Sequence, residues 1–327
     1  MRTFELRHGV FFLCILLTIC MGCDDSENPA KPQPDGDALH SFIHANIDEH
    51  AQTLTIDAAA GGQVVGAQGT IIQFPSDAFK TQAGGAVTGN VDIELIEIYN
   101  RSSMLLTNKP TIGKADNGDL ATLVSGGEFF VNATQNGNQL VAGKAYTIIA
   151  PAALTGGIDL DMKLFTGVEE CDGDRCNLVW EQEDRGIEKG QFQTTGGVFE
   201  GYMAIQSKFC WTNIDKWYND PRQKTTIFVD VPEGFDNTNC AVYLVYDGEP
   251  TALARFDRFD EETGLFTEHY GLIPIGLEVH FVLVSIIDDE IHYAIQGATI
   301  TENHVEVIDD VQSITEEELI DLIDELP

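Results

Sequence analysis

Basic side chains are scarce in this sequence: 18 Lys and Arg stand against 53 Asp and Glu in 327 residues, a net charge of −35. A surface so negative repels phosphate backbones and anionic headgroups, which argues against nucleic acid as a partner. It suits cations, basic partners or solubility in a salty medium, and the acids are spread along the chain as a solubilising surface would spread them. Catalytic signatures are missing too: there is no G-x-S-x-G, no H-E-x-x-H and no Walker loop. Histidine is absent between residues 50 and 269, and carboxylates are too numerous for any one pair to stand out. No catalytic residue, metal-ligand set or cofactor is therefore expected. An apolar run long enough to span a bilayer is not found at the start either. The stretch from Val10 to Gly22, with VFFLCILL at its heart, is about 13 residues, and a spanning helix needs roughly 20.

What is present begins with that stretch. Arg2 and Arg7 precede the apolar run and Gly22 follows it, the layout of a secretory signal peptide over residues 1–22. CMGC (Cys20 to Cys23) resembles the lipobox of bacterial lipoproteins, whose cysteine becomes the lipidated first residue; Gly22 fits, while Cys20 stands where the family prefers Leu. The resemblance implies cleavage before Cys23 and its acylation. Each buried methylene contributes about 0.8 kcal/mol, so several acyl chains on one cysteine anchor durably where one would not. Asp24, Asp25 and Glu27 resemble the acidic export signal of Bacteroidetes lipoproteins. That likeness implies an outer-membrane protein, lipid-anchored and facing the cell exterior. Residues 23–50 read as a tether and a short polar segment, because ENPAKPQPDGD favours extended, solvated chain. His40 and His44 would share one face of a helix here, without an identifiable third ligand.

Four cysteines remain in the body: Cys171, Cys176, Cys210 and Cys240. An exported chain meets an oxidising compartment, so disulfides are expected. CDGDRC sets Cys171 and Cys176 across a compact turn, which leaves Cys210 with Cys240; free buried thiols and a four-cysteine metal site are the alternatives.

From Thr53 onward the pattern is that of strands. VTGNVDIELIEIYN alternates Val91, Ile93 and Leu95 with Asp92 and Glu94, then changes phase to Ile96 and Ile98, which predicts a bulge or a strand that changes cover. Asn136-Gly137 and Asp247-Gly248 lie between apolar runs as hairpin turns. Short strands punctuated by Gly, Asn, Asp and Pro predict an all-β fold of two consecutive β-sandwich domains, 51–220 and 221–327. A short C-terminal helix ends the second: Thr315 and Glu318 form a capping box, and Leu319, Leu322, Ile323 and Leu326 make one apolar stripe. That stripe either docks on its own domain or meets a partner. ADNGD at 115–119 and DGD at 172–174 are oxygen-rich, but turn formation explains them without calcium.

Around GGQVVGAQGTIIQFPSDAF, at Gly61, Gly62, Gly69, Phe74, Pro75 and Ala78, the chain resembles a ZU5-type β-sandwich. VTGNVDIELIEIYNRSSML, SGGEFFVNAT, MKLFTG, WTNIDKWYNDP and IPIG resemble uncharacterised Bacteroidetes lipoproteins. The ZU5 likeness implies protein–protein contact rather than catalysis. The expected function is a non-enzymatic, surface-exposed lipoprotein acting in protein interaction or as an envelope component. A glycan-binding lipoprotein is the alternative, using Trp211, Trp217 and Tyr218 as a stacking platform, and a hydrolase with an unrecognised site is another. The expected partners are the membrane through the anchor, another envelope or surface protein, or a glycan.

Overall fold

Among the described residues, four sheets and three hydrophobic cores alternate. The computed structural model describes residues 33–327, without 173–174, 195–196 and the side chains of 170–176. Sheet 1 runs in the order Glu188–Thr194, Gly197–Gln206, Tyr146–Pro151, Ile71–Phe74, Gly62–Val65. Sheet 2 is the largest, ordered Gln52–Asp57, Asn90–Ile98, Leu120–Gln135, Trp211–Trp217, Lys163–Asp172, Arg175–Gln182, Ile112–Lys114, with Phe79–Thr81 and Asn138–Ala142 joined off its path. Sheet 3 is Leu253–Arg255, Cys240–Tyr246, Glu278–Ile287, Glu290–Thr299, Gln312–Ile314. Sheet 4 is Arg258–Asp260, Leu265–Pro274, Lys224–Asp230, Val305–Val307. The fold is all-β, sandwich-type, with a short C-terminal helix. The chain crosses from sheet 2 to sheet 4 over residues 218–223.

The outer core joins sheets 1 and 2, through Ile72, Ile148 and Tyr202 against Val91, Phe129 and Ile214. The inner core joins sheets 3 and 4, through Val242 and Phe281 against Ile227 and Phe266. Between them a middle core joins the back of sheet 2 to the back of sheet 3: Phe165, Trp180 and Trp211 meet Tyr243, Val245 and Val282. The two sandwiches are thus not beads on a string, and Gln33–Pro327 forms one compact unit.

This stacking explains the strand patterns. In Asn90–Ile98, Val91, Ile93 and Leu95 enter the outer core while Ile96 and Ile98 enter the middle one. Pairing with Leu120–Gln135 runs unbroken from Asp92↔Thr134 to Ile98↔Glu128. The change of phase therefore marks a change of cover, with no bulge. Cys240–Tyr246 is buried at every position because both its faces meet a core. Strands covered on two sides read as continuous apolar runs rather than alternating ones. At the turn after Leu120–Gln135, Asn136 and Gly137 have φ of 50° and 77°, the left-handed pair that a two-residue hairpin requires.

Three α-helices close the ends of the middle core. α1, Gly36–His50, is capped by the Asp35 carboxylate and occupies most of the segment expected as tether and polar sequence. His40 and His44 do share a face, with ring nitrogens 3.1 Å apart, and both are solvent-exposed. α2, Arg101–Leu106, contributes Met104, Leu105 and Leu106. α3, Glu316–Asp324, has the Thr315–Glu318 capping box and buries Leu319 and Ile323, leaving Leu322 exposed. Its apolar stripe docks on the protein itself. Asp324 accepts hydrogen bonds from Asn100 and Ser102, and Arg101 donates to the carbonyls of Leu326 and Pro327, each at 3.0 Å.

Candidate functional site

Cys23, Asp24, Asp25 and Glu27 lie outside the described residues. Backbone register sets Cys171 directly opposite Cys176 in a hairpin, and their side chains are likewise outside the description. Cys210 and Cys240 are free, which corrects the expected bridge between them. Cys210 lies beside Tyr146 of the outer core, with its thiol 3.7 Å from the Lys208 carbonyl. Cys240 opens the buried strand of sheet 3, in the inner core. A disulfide needs Cα atoms within about 7 Å, and these two serve different cores. Burial pushes both thiols above their ordinary range.

The three aromatic residues expected as a glycan platform are dispersed. Alternation along Trp211–Trp217 puts both tryptophans on the face that sheet 3 covers. Trp211 is only 8% exposed, wedged 5.2 Å from Phe130 and 6.4 Å from Trp180. Trp217 is half-buried, edge-on to Phe165 at 5.6 Å, and its indole N–H donates to Gln182. Tyr218 leaves this group and packs edge-on against Tyr246 of the inner core at 4.8 Å. No flat surface of three rings exists for a sugar.

The same face of sheet 2 carries a polar spot that sequence spacing did not reveal. Register places Glu128 opposite Asn213 and Ser125 opposite Asp215, with a bulge between. Ser125 donates to the Asn213 amide oxygen at 3.1 Å, and the Asn213 amide donates to one Asp215 oxygen at 2.7 Å. The other Asp215 oxygen and both Glu128 oxygens have no hydrogen-bond partner, although both residues are fully buried. Burial holds both carboxyls well above the usual carboxylate range; the Asp215 charge raises Glu128 further and Lys109 opposes it. The Lys109 ammonium sits 5.2 Å from the Trp211 ring centroid, its own pKa lowered by burial. These acids are sealed between sheets, so a substrate has no approach to them.

Where Tyr218 goes is more informative. It lines a cavity of about 120 Å³ together with Tyr246, Phe256, Ile273, Thr122 and Glu268. The hairpin of Ile112–Lys114 and Leu120–Gln135, paired within sheet 2, contributes Ile112, Leu120, Ala121 and Thr122 to this wall, and Ile112 and Val124 pack on the inner core. An irregularity in sheet 4 shapes the opposite wall. Thr225 pairs with Ile273 and Ile227 with Glu268, so the second strand carries several extra residues. That bulge folds back on Glu268: the backbone N–H groups of Tyr270 and Gly271 donate to its two oxygens at 3.2 and 3.1 Å. Gly271 takes φ of 71°, which favours glycine. Despite these donors, burial raises the Glu268 carboxyl to about 7. Asp257 stands at the edge, accepting from the Tyr270 hydroxyl at 3.2 Å. Burial also raises Asp257, and a mainly apolar lining with a few perturbed acids is what small-molecule sites share.

Sequence reasoning missed Glu268, Tyr246 and Phe256 because a bulge, not a spacing, unites them. The available signal was LFTEHYG, where Glu268 follows Phe266 in the same inward phase. It also missed that three histidines face carboxylates: His280 with Asp247 at 2.8 Å, His304 with Glu306 at 3.0 Å and His269 with Asp257 at 3.8 Å. In the turn at 115–119, Asn117 and Asp119 bond to each other.

No family model matches the chain, and no curated protein does. The likeness to ZU5 sandwiches rests on the residues of the 61–79 stretch alone. There Gly61 does need its glycine: φ is 67°, and a Cβ would fall 2.6 Å from the Phe74 carbonyl oxygen. Among the described residues no group of three or more His, Cys, Asp or Glu is placed to hold a metal ion, and no helix is long and apolar enough to cross a membrane.

Proposed function

We propose that this chain is a non-enzymatic, surface-exposed lipoprotein that works by binding, held by an acylated Cys23 and offering the cavity of its second sandwich. One observation carries the binding half: the cavity is apolar, partly enclosed, walled by both sandwiches and furnished with two carboxyls raised by burial, Glu268 and Asp257. The strongest acid pair, Glu128 and Asp215, is shut away from solvent and favours no hydrolytic role. The anchor rests on the lipobox and the acids that follow it.

The test of the anchor is intact-mass analysis of the protein extracted from membranes, combined with protease treatment of whole cells. An acylated chain beginning at Cys23 and digested from outside is the expected result. A mature chain with another, unmodified first residue overturns the anchor, and full protection from the protease overturns the outward orientation.

A further inference from the structure

The cavity also says what kind of ligand it would take. We propose that it binds a small organic ammonium, with the cationic head at Glu268 and Asp257 and an apolar body among Tyr218, Tyr246, Phe256 and Ile273. This deepens the binding role given above and rests on it.

Charge at the cavity wall selects the ligand first. Four lining residues are formally ionic apart from the tyrosines: Lys224, Arg255, Asp257 and Glu268. Arg255 does not present its charge there. It lies in the strand Leu253–Arg255, whose Ala254 points into the inner core and whose neighbour Leu253 points into the middle one. Its guanidinium donates to Asn108 at 3.0 Å and to Asn177 at 2.7 Å, on the middle-core side. Lys224 is exposed, one residue before the inward-facing Thr225. That leaves two carboxylates as the charged groups that look inward, in a protein of net charge −35. The two inward carboxylates and the net charge disfavour an anionic ligand, and Lys224 adds its charge only from the exposed edge.

Aromatic rings select further. Tyr218, Tyr246 and Phe256 line the space, with Tyr270 at its edge. Ring faces attract cations through their quadrupoles, by about 0.5–2 kcal/mol for each well-placed ring and most when water is excluded. An organic cation gains from the rings and from Glu268 together, and an ammonium is the most compact such group. The free protein holds Glu268 among backbone donors without a counter-ion, and burial dominates its titration. A bound ammonium supplies the missing positive charge. The cavity measures about 120 Å³, less than the roughly 150 Å³ apolar cavity that accepts benzene, so it takes a small ligand in part and leaves the remainder at its open side.

The experiment uses full-length, detergent-solubilised protein with benzylammonium and its neutral analogue benzyl alcohol, read by titration calorimetry from pH 6 to pH 8. Asp257, itself raised by burial and facing His269 and Arg258, is the charged group that acts on Glu268; the backbone N–H groups of Tyr270, Gly271 and Leu272 donate to it, and Tyr246, raised by burial, stays neutral over this range. Ammonium affinity is expected to rise about tenfold over that range, as Glu268 loses its proton, while the alcohol stays flat. Glu268→Gln should abolish the rise. Because the pH series needs no variant, poor folding of Glu268→Gln leaves the result intact. If both probes bind equally at every pH, the cavity reads apolar shape alone: the ammonium proposal fails and the binding role stands. If neither binds, both fail.

Discussion

Two regions of this protein bury carboxylates, and they do it in opposite ways. On the face of sheet 2 that carries Trp211, Glu128 and Asp215 are fully buried, and three of their oxygens find no donor. Between sheets 3 and 4, Glu268 is held by two backbone N–H groups at the side of a cavity. Both environments raise the carboxyl by withdrawing water. Only the second offers a ligand a way in. A perturbed acid is therefore not by itself a functional mark; access decides what the perturbation can be used for.

The harshest way to break this contrast is to unseal the first region. Trp180 is completely buried and its indole N–H donates to the Pro110 carbonyl at 3.0 Å. Trp180→Ala should cost about 3–5 kcal/mol in chemical denaturation. One transition is expected for wild type and variant, since the middle core is common to both sandwiches; two separate transitions would show that the halves are independent.

A milder change tests whether the sealed acids are a burden. Glu128→Met fills the same space without a charge and should stabilise the protein by about 1–3 kcal/mol at pH 8. The sign follows from linkage. The folded pKa of Glu128 lies above its unfolded value, so the native state keeps a proton that the unfolded chain has already released. Stability is therefore lost as pH rises beyond the ordinary carboxylate range, and the advantage of the variant should shrink toward pH 5. A gain independent of pH would mean that Glu128 does not titrate as its burial requires.

The smallest effect sharpens the other side. Carbon-detected titration of Glu268 should give a midpoint near 7, with little change in melting temperature on Glu268→Gln. A midpoint in the usual carboxylate range would erase the parallel between the regions.

How much of this could be read beforehand depended on distance along the chain. The capping box at Thr315, the turn at Asn136-Gly137 and the change of cover at Ile96 were legible, since each is decided by neighbours within a few residues. The apolar run AVYLVY announced a strand, but not that sheet 2 would cover its second face. The platform of Trp211, Trp217 and Tyr218 was misjudged for that same reason: local sequence shows rings, and only the third layer shows what lies on them. Glu128 and Asp215 are 87 positions apart and met through register. A single acid inside SGGEFFV was the one hint. Pairing Cys210 with Cys240 failed because elimination among cysteines carries no information about which core each one enters.

The order of the cores along the chain has a consequence in time. The outer core is complete once Ile214 has appeared, and the inner core needs Ile308, but the middle core waits for Ile323 in α3. Val305–Val307 must also find a parallel partner in Phe228–Asp230, a long way back, which slows closure. A chain delivered N-terminus first is therefore expected to form its outer core early and to close the inner and middle cores last. Until that closure, Glu128 and Asp215 stand in water as anions. The final act of assembly then takes protons from the medium, and refolding in which the last phase quickens as pH falls would register their uptake.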